Sequence, residues 1–141
     1  MEIITGQLTE HFNIAEFACD DVIYLDADAV RFIVSVCEPF RAWYKRPINI
    51  NSGYRTPKKN RAVGGDPNSL HMWTRAIDFN LPADEWPKMS RARQALFLSN
   101  VRTKWFALCR AAGGFGQMTV HNGWLHLAMS LNREYYDDRR G

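Results

Sequence analysis

Residues 115–130 read FGQMTVHNGWLHLAMS, and this stretch decides the fold. Two strand-like runs, Phe115–His121 and Trp124–Ser130, flank Asn122-Gly123. Asn-Gly in that setting is the strongest short-range signal for a hairpin. A two-residue turn fixes the register, with His121 opposite Trp124 and Thr119 opposite His126. Directly opposed residues share a face, so His121, Thr119, Trp124 and His126 point the same way. His121 and His126 are diagonal neighbours, about 7–8 Å apart at the backbone. At that separation two imidazoles reach one centre, as a ligand and a base or as two ligands.

Upstream, Arg75–Asn80 (RAIDFN) alternates as a strand should, with Ala76, Asp78 and Asn80 on one face. Asp78 sits among Ala76, Ile77 and Phe79. A lone carboxylate in such an apolar setting is costly unless paired or metal-bound. The spacing of His71 and Asp78 fits no single helix face. It suits one ligand at a loop end and a second on the following strand. With His126 they make a sound zinc set that leaves a fourth position for water. Taken singly, each has an ordinary explanation: His71 a surface loop residue, Asp78 a partner of Arg75, His126 a satisfied sheet histidine.

Between Ser52 and Thr74 the chain is rich in Gly, Pro, Asn, Arg and Lys and shows little periodicity. A loop this long between two strand candidates reads as functional. Pro47–Asn51 reads as a short strand. Asn13-Ile14-Ala15-Glu16 has the shape of a capped short helix, and Asp26 or Asp28 caps the next. Ile33, Val36, Phe40 and Trp43 recur at helical spacing, marking a core-facing helix that Pro39 kinks or divides. Pro87–Ala112 reads as two helices broken near Ser99-Asn100 and stopped by Gly113-Gly114. The charged tail 133–141 is expected to fray. The fold expected is α+β, one domain over 1–141, with a small antiparallel sheet (75–80, 115–121, 124–130). The sheet carries the site on one face and helices on the other.

The bulk numbers exclude more than they select. At 141 residues and 46% hydrophobic, the chain builds one core without staples. Its three cysteines, Cys19, Cys37 and Cys109, are widely spaced and form no disulfide framework. The opening MEIITGQLTEHFN lacks the basic and apolar regions of a secretory signal. No run is long and apolar enough to insert in a membrane. Synthesis in the cytoplasm is expected, with another factor or a virion delivering the protein to its substrate. A net charge of +3 mildly favours anionic partners. The basic cluster Arg55, Lys58, Lys59 and Arg61 has no aromatic ladder beyond Tyr54, so nucleic acid is not expected as a partner.

Ser52-Gly53-Tyr54-Arg55, Ser69-x-His71, Asp78 and Trp124-Leu125-His126 together resemble the zinc D-Ala-D-Ala carboxypeptidase family, within the hedgehog/DD-peptidase superfamily. Asn60–Gly65 (NRAVGG) resembles a segment common in phage-type members. Leu8–Phe17 (LTEHFNIAEF) resembles their opening segment. The resemblance spans nearly the whole chain, in order. It implies zinc as cofactor, held by His71, Asp78 and His126. It implies that Arg55 holds the substrate carbonyl or carboxylate, a task suited to a planar, always-charged donor. It implies a peptidoglycan stem peptide as substrate, and activity as a carboxypeptidase or endopeptidase, in phage lysis or entry.

Three features depart from the family pattern. Thr74 stands where the family has Gly after the His-x-x segment, and Ala128 stands where an aspartate is usual. Gly123 and Trp124 occupy the places where many relatives carry a base. His121 is the titratable side chain that the hairpin geometry puts on the metal face, so it is expected to act as general base. Trp124 is expected to form a substrate wall, and Ser69 to support the loop and line the substrate site. Gln117 and Asn80 are open candidates for the cleft. His11 carries no assigned chemistry. The alternative function is a catalytically degenerate relative serving as a virion structural or wall-binding protein.

Overall fold

The computed structural model describes residues 6–140. The sequence readings on Met1–Thr5 and Gly141 lie outside it. Five strands form one sheet in the order β1-β2-β4-β3-β5. They are β1 (Ile50–Ser52), β2 (Ala76–Asn80), β3 (Phe115–His121), β4 (Trp124–Ser130) and β5 (Tyr135–Asp138). The first four pair antiparallel, as expected for this α+β domain. The tail expected to fray instead supplies β5, which pairs parallel with β3. Its ladder to β3 and the Arg102 guanidinium of α4 over the Tyr136 ring hold it where local charge density alone predicts solvation.

The hairpin has the expected register, with His121 opposite Trp124 and Thr119 opposite His126. Gly123 takes φ +84°, the conformation that favours glycine. β2 joins the far edge of β4, placing Asp78 opposite His126. Leu125, Leu127, Met118, Val120, Ile77 and Phe79 fill the opposite face and are buried. There they meet α1 (Ala27–Phe32), α2 (Glu38–Tyr44) and α4 (Arg91–Ala111). Fully buried Trp105 of α4 donates its indole N–H to the Ala128 carbonyl at 2.9 Å.

Several elements differ from the sequence reading for identifiable reasons. α4 runs unbroken through Ser99-Asn100, because both face water. Their small propensity cost is outweighed by the buried stripe Leu98, Val101, Trp105, Phe106 and Cys109. Pro39 does divide its helix: a π-turn, Ile33–Cys37, precedes α2. A wide turn absorbs the missing N–H and the ring's clash with the preceding turn. Tyr44 then lies inward while Trp43, expected in the core, is 38% exposed. The 52–74 stretch is less irregular than expected. It contains α3 (Pro57–Ala62), capped by Thr56, and a 3-10 turn, Leu70–Trp73, capped by Ser69. Both are too short to show periodicity. Asn13 and Glu16 form the expected capping box, and Asp26 caps α1.

Candidate metal centre

Three side chains converge on the open face of the sheet. Asp78 comes from β2, His126 from the neighbouring β4, and His71 from the 3-10 turn that leads into β2. His126 Nδ1 lies 2.8 Å from Asp78 Oδ1 and 3.2 Å from His71 Nε2. His71 Nε2 lies 3.2 Å from Asp78 Oδ2. One donor atom from each residue falls within 4.8 Å of the others. Tetrahedral ligands about 2.0–2.1 Å from a zinc ion stand about 3.3 Å from one another. The observed separations therefore suit that ion, and the donor set suits its chemistry.

The ring of His71 is fixed from behind. Its Nδ1–H donates to the Gly53 carbonyl at 2.6 Å, which leaves Nε2 with a lone pair facing the centre. Gly53 is required there, because a Cβ would meet the Phe17 backbone at 2.8 Å. Tyr54 N–H also donates to the Phe17 carbonyl, at 2.7 Å. The opening segment and the Ser52–Arg55 motif are thus two halves of one support for His71.

Burial would raise the Asp78 carboxyl, but hydrogen bonds from His126 and His71 override it and hold it well below the usual carboxylate range. Burial lowers the His71 pKa, against the hydrogen bond and charge of Asp78, which raise it. Both effects keep the donors in the forms a cation needs: an ionised carboxylate and a neutral imidazole.

Arg55 stands beside this group. Its Nη2 is 3.4 Å from Asp78 Oδ2, its Nε donates to Ser52 Oγ at 3.2 Å, and its Nη1 to Asn60 Oδ1 at 3.3 Å. Asn60 is buried and donates to the Asp66 carbonyl at 2.8 Å, tying Arg55 to the 60–66 segment. Ser69 Oγ accepts the His71 N–H at 3.2 Å, so it caps the turn that carries the ligand. Thr74 ends that turn at φ +54°, a left-handed cap that glycine fills without strain. The threonine is fully buried, and its hydroxyl donates to the Tyr24 carbonyl. Ala128, the departure on β4, is buried opposite Ala76 and Gln117.

These residues line a cleft of about 850 Å³. Arg55, Ser69, Trp124, His121 and Gln117 all face it. Asn80 does not; its side chain accepts from Asn51 at 2.9 Å. His121 is outside the donor group and stacks on Trp124, with ring centroids 3.7 Å apart and planes 2° from parallel. Partial burial lowers the His121 pKa, and the Arg139 cation lowers it further. His11 pairs with Glu38 at 2.6 Å, away from the cleft. The sequence reading missed the Gly53 carbonyl, buried Asn60, and the tail residues Tyr135 and Arg139 that complete the cleft. The doublet Thr56-Pro57 was a readable helix start that would have placed Asn60. Nothing local marked the tail.

A two-histidine, one-aspartate centre in a cleft on an α+β sheet is the arrangement of a metal-dependent hydrolase. The Peptidase M15 family model matches residues 10–128, and the chain belongs to that family of zinc-dependent peptidases, the zinc D-Ala-D-Ala carboxypeptidase family. A comparison with curated proteins gives no match.

Proposed function

We propose that the protein is a zinc-dependent hydrolase of peptidoglycan stem peptides, of carboxypeptidase or endopeptidase type, acting in cell-wall lysis by a bacteriophage. The observation that carries this reading is the His71–Asp78–His126 group in its cleft, with Arg55 against it. The phage assignment is supported by the resemblance of the 60–65 and 8–17 segments.

His71, Asp78 and His126 would hold the ion. Zinc, when bound, supplies a Lewis acid for the carbonyl and a water whose pKa is lowered to about 7. The Gly53 carbonyl keeps His71 in the tautomer with Nε2 free. Arg55 is clamped by Ser52 and Asn60, so its guanidinium is oriented before substrate arrives. It aligns the substrate carbonyl or terminal carboxylate. Trp124 forms a wall and fixes the plane of His121. His121 accepts the proton released on attack and returns it to the leaving amine. A lowered pKa suits that work, since the ring is then neutral and ready to accept at pH 7.

The test is mass spectrometry of purified peptidoglycan fragments incubated with zinc-loaded protein, beside a chelator-treated sample. Chelator-sensitive loss of D-alanine, or opening of a cross-link, is expected. Intact fragments beside a protein that holds one zinc would contradict hydrolysis and favour a wall-binding or virion structural role.

A further inference from the structure

The family match ends at residue 128, but the cleft continues beyond it. β5 brings Tyr135 beside Gln117 and Asp137 beside Thr119. Side chains alternate along a strand, so Tyr135, Asp137 and Arg139 stand on the site's face. The Arg139 N–H donates to the Val120 carbonyl at 2.7 Å, which keeps Arg139 in register beside His121. Asp137 Oδ2 accepts from Arg139 Nε at 2.8 Å and from Tyr135 Oη at 3.3 Å. One carboxylate thus ties both side chains into a row along the cleft wall.

The Arg139 side chain is 57% exposed, and its terminal nitrogens have no hydrogen-bond partner among the described residues. Arg139 lines the same cleft as the metal group. Arg55 lies on the β2 side of that group and Arg139 on the β5 side. β5 is separated from His126-bearing β4 only by β3. That puts its backbone about 10 Å away, a gap an extended peptide covers in about three residues, and less once the arginine's own length is subtracted. A guanidinium with one edge anchored and the other open is built to receive a carboxylate.

We propose that Arg139, anchored by Asp137 and flanked by Tyr135, is a carboxylate subsite that reads a negatively charged group about two residues from the bond cut. The inference rests on the peptide-cleft reading above. A stem peptide offers that carboxylate from two sources, its C-terminus and the α-carboxyl of its γ-linked D-glutamyl residue.

The experiment uses zinc-loaded wild type and Arg139→Gln with the peptide L-Ala-γ-D-Glu-L-Lys-D-Ala-D-Ala. The peptide is supplied unmodified, amidated at the C-terminus, or amidated at the D-glutamyl α-carboxyl. Binding is read from tryptophan fluorescence by stopped flow before turnover, and KM and kcat are measured separately. Wild type should lose about tenfold in affinity for one amidated form, which names the source. Arg139→Gln should lose the same factor for the unmodified peptide, cease to distinguish that form, and show the change in KM with kcat retained at a pH where His121 is neutral in both proteins. A variant that binds like wild type, or keeps the wild-type discrimination, overturns the subsite alone. Peptide that binds neither protein overturns the subsite and the peptide cleft together. Discrimination that depends on Arg139 without any cleavage upholds the subsite and removes only the hydrolase.

Discussion

Gly53 and Thr74 show how closely the backbone is held around His71. A Cβ at Gly53 collides with the Phe17 backbone and displaces the carbonyl that orients the ligand. Gly53→Ala should therefore weaken zinc binding by about 10–100-fold, the usual effect of losing an outer-shell partner; competition with a chromophoric chelator measures it. At Thr74 two effects oppose each other: strain at φ +54° and a buried hydrogen bond to Tyr24. Thr74→Ala loses the bond and keeps the strain, whereas Thr74→Gly loses both. Chemical denaturation should find the glycine variant about 1 kcal/mol more stable than the alanine variant. With His121 as the proton carrier, His121→Ala should lower kcat by about 10²–10⁴-fold with zinc content unchanged. A base must be neutral, so activity falls as pH drops through its pKa, which burial and Arg139 hold below the ordinary value of about 6.5. Arg139→Gln removes one of those causes and should move the acid limb of kcat/KM to higher pH.

At the scale of elements, the β3–β4 hairpin was legible because turn chemistry and alternation are local. The same reasoning gave the facing of Thr119, His121, Trp124 and His126, and it gave Asp78 on β2. What stayed hidden depended on distant partners. β5 is held by β3 and not by its own sequence, so a charged tail could not announce it. The shift from Trp43 to Tyr44 followed a π-turn, which no spacing rule anticipates. α4 ignored Ser99-Asn100 because its buried stripe decided the matter. The closeness of α4 to β3 rests on Gly116, where a Cβ would lie 2.3 Å from the Phe106 ring. Gly116→Ala should cost about 1–3 kcal/mol by overpacking, seen as a lower denaturation midpoint with an unchanged slope.

Across the whole molecule, depressed carboxyls and histidines couple folding to pH, Glu38 and Asp78 among the carboxyls. Burial would raise the Glu38 pKa, but hydrogen bonds from Thr9 and His11 hold it below its ordinary value. Asp78 is held low by the two histidines. Carboxyls depressed in the folded state contribute stability that is present above their unfolded pKa, about 4, and is lost as pH falls through the folded values. His71 and His121 are depressed as well, so metal-free protein should begin to lose melting temperature below about pH 6.5, with the carboxyls adding to the loss below about pH 4. Zinc binds the folded chain's assembled donors, so a thousandfold excess over its dissociation constant should add about 4 kcal/mol, and chelation should remove it. Calorimetry with and without chelator reads both effects.

His71, Asp78 and His126 are expected to hold a zinc ion while His121 stays outside. X-ray absorption spectroscopy of the zinc-loaded protein tests it most directly. We predict two imidazoles among first-shell nitrogen and oxygen donors at about 2.0–2.1 Å, with no sulfur. Three imidazoles would make His121 a ligand and remove it as the base, and a sulfur at about 2.3 Å would put the metal elsewhere altogether.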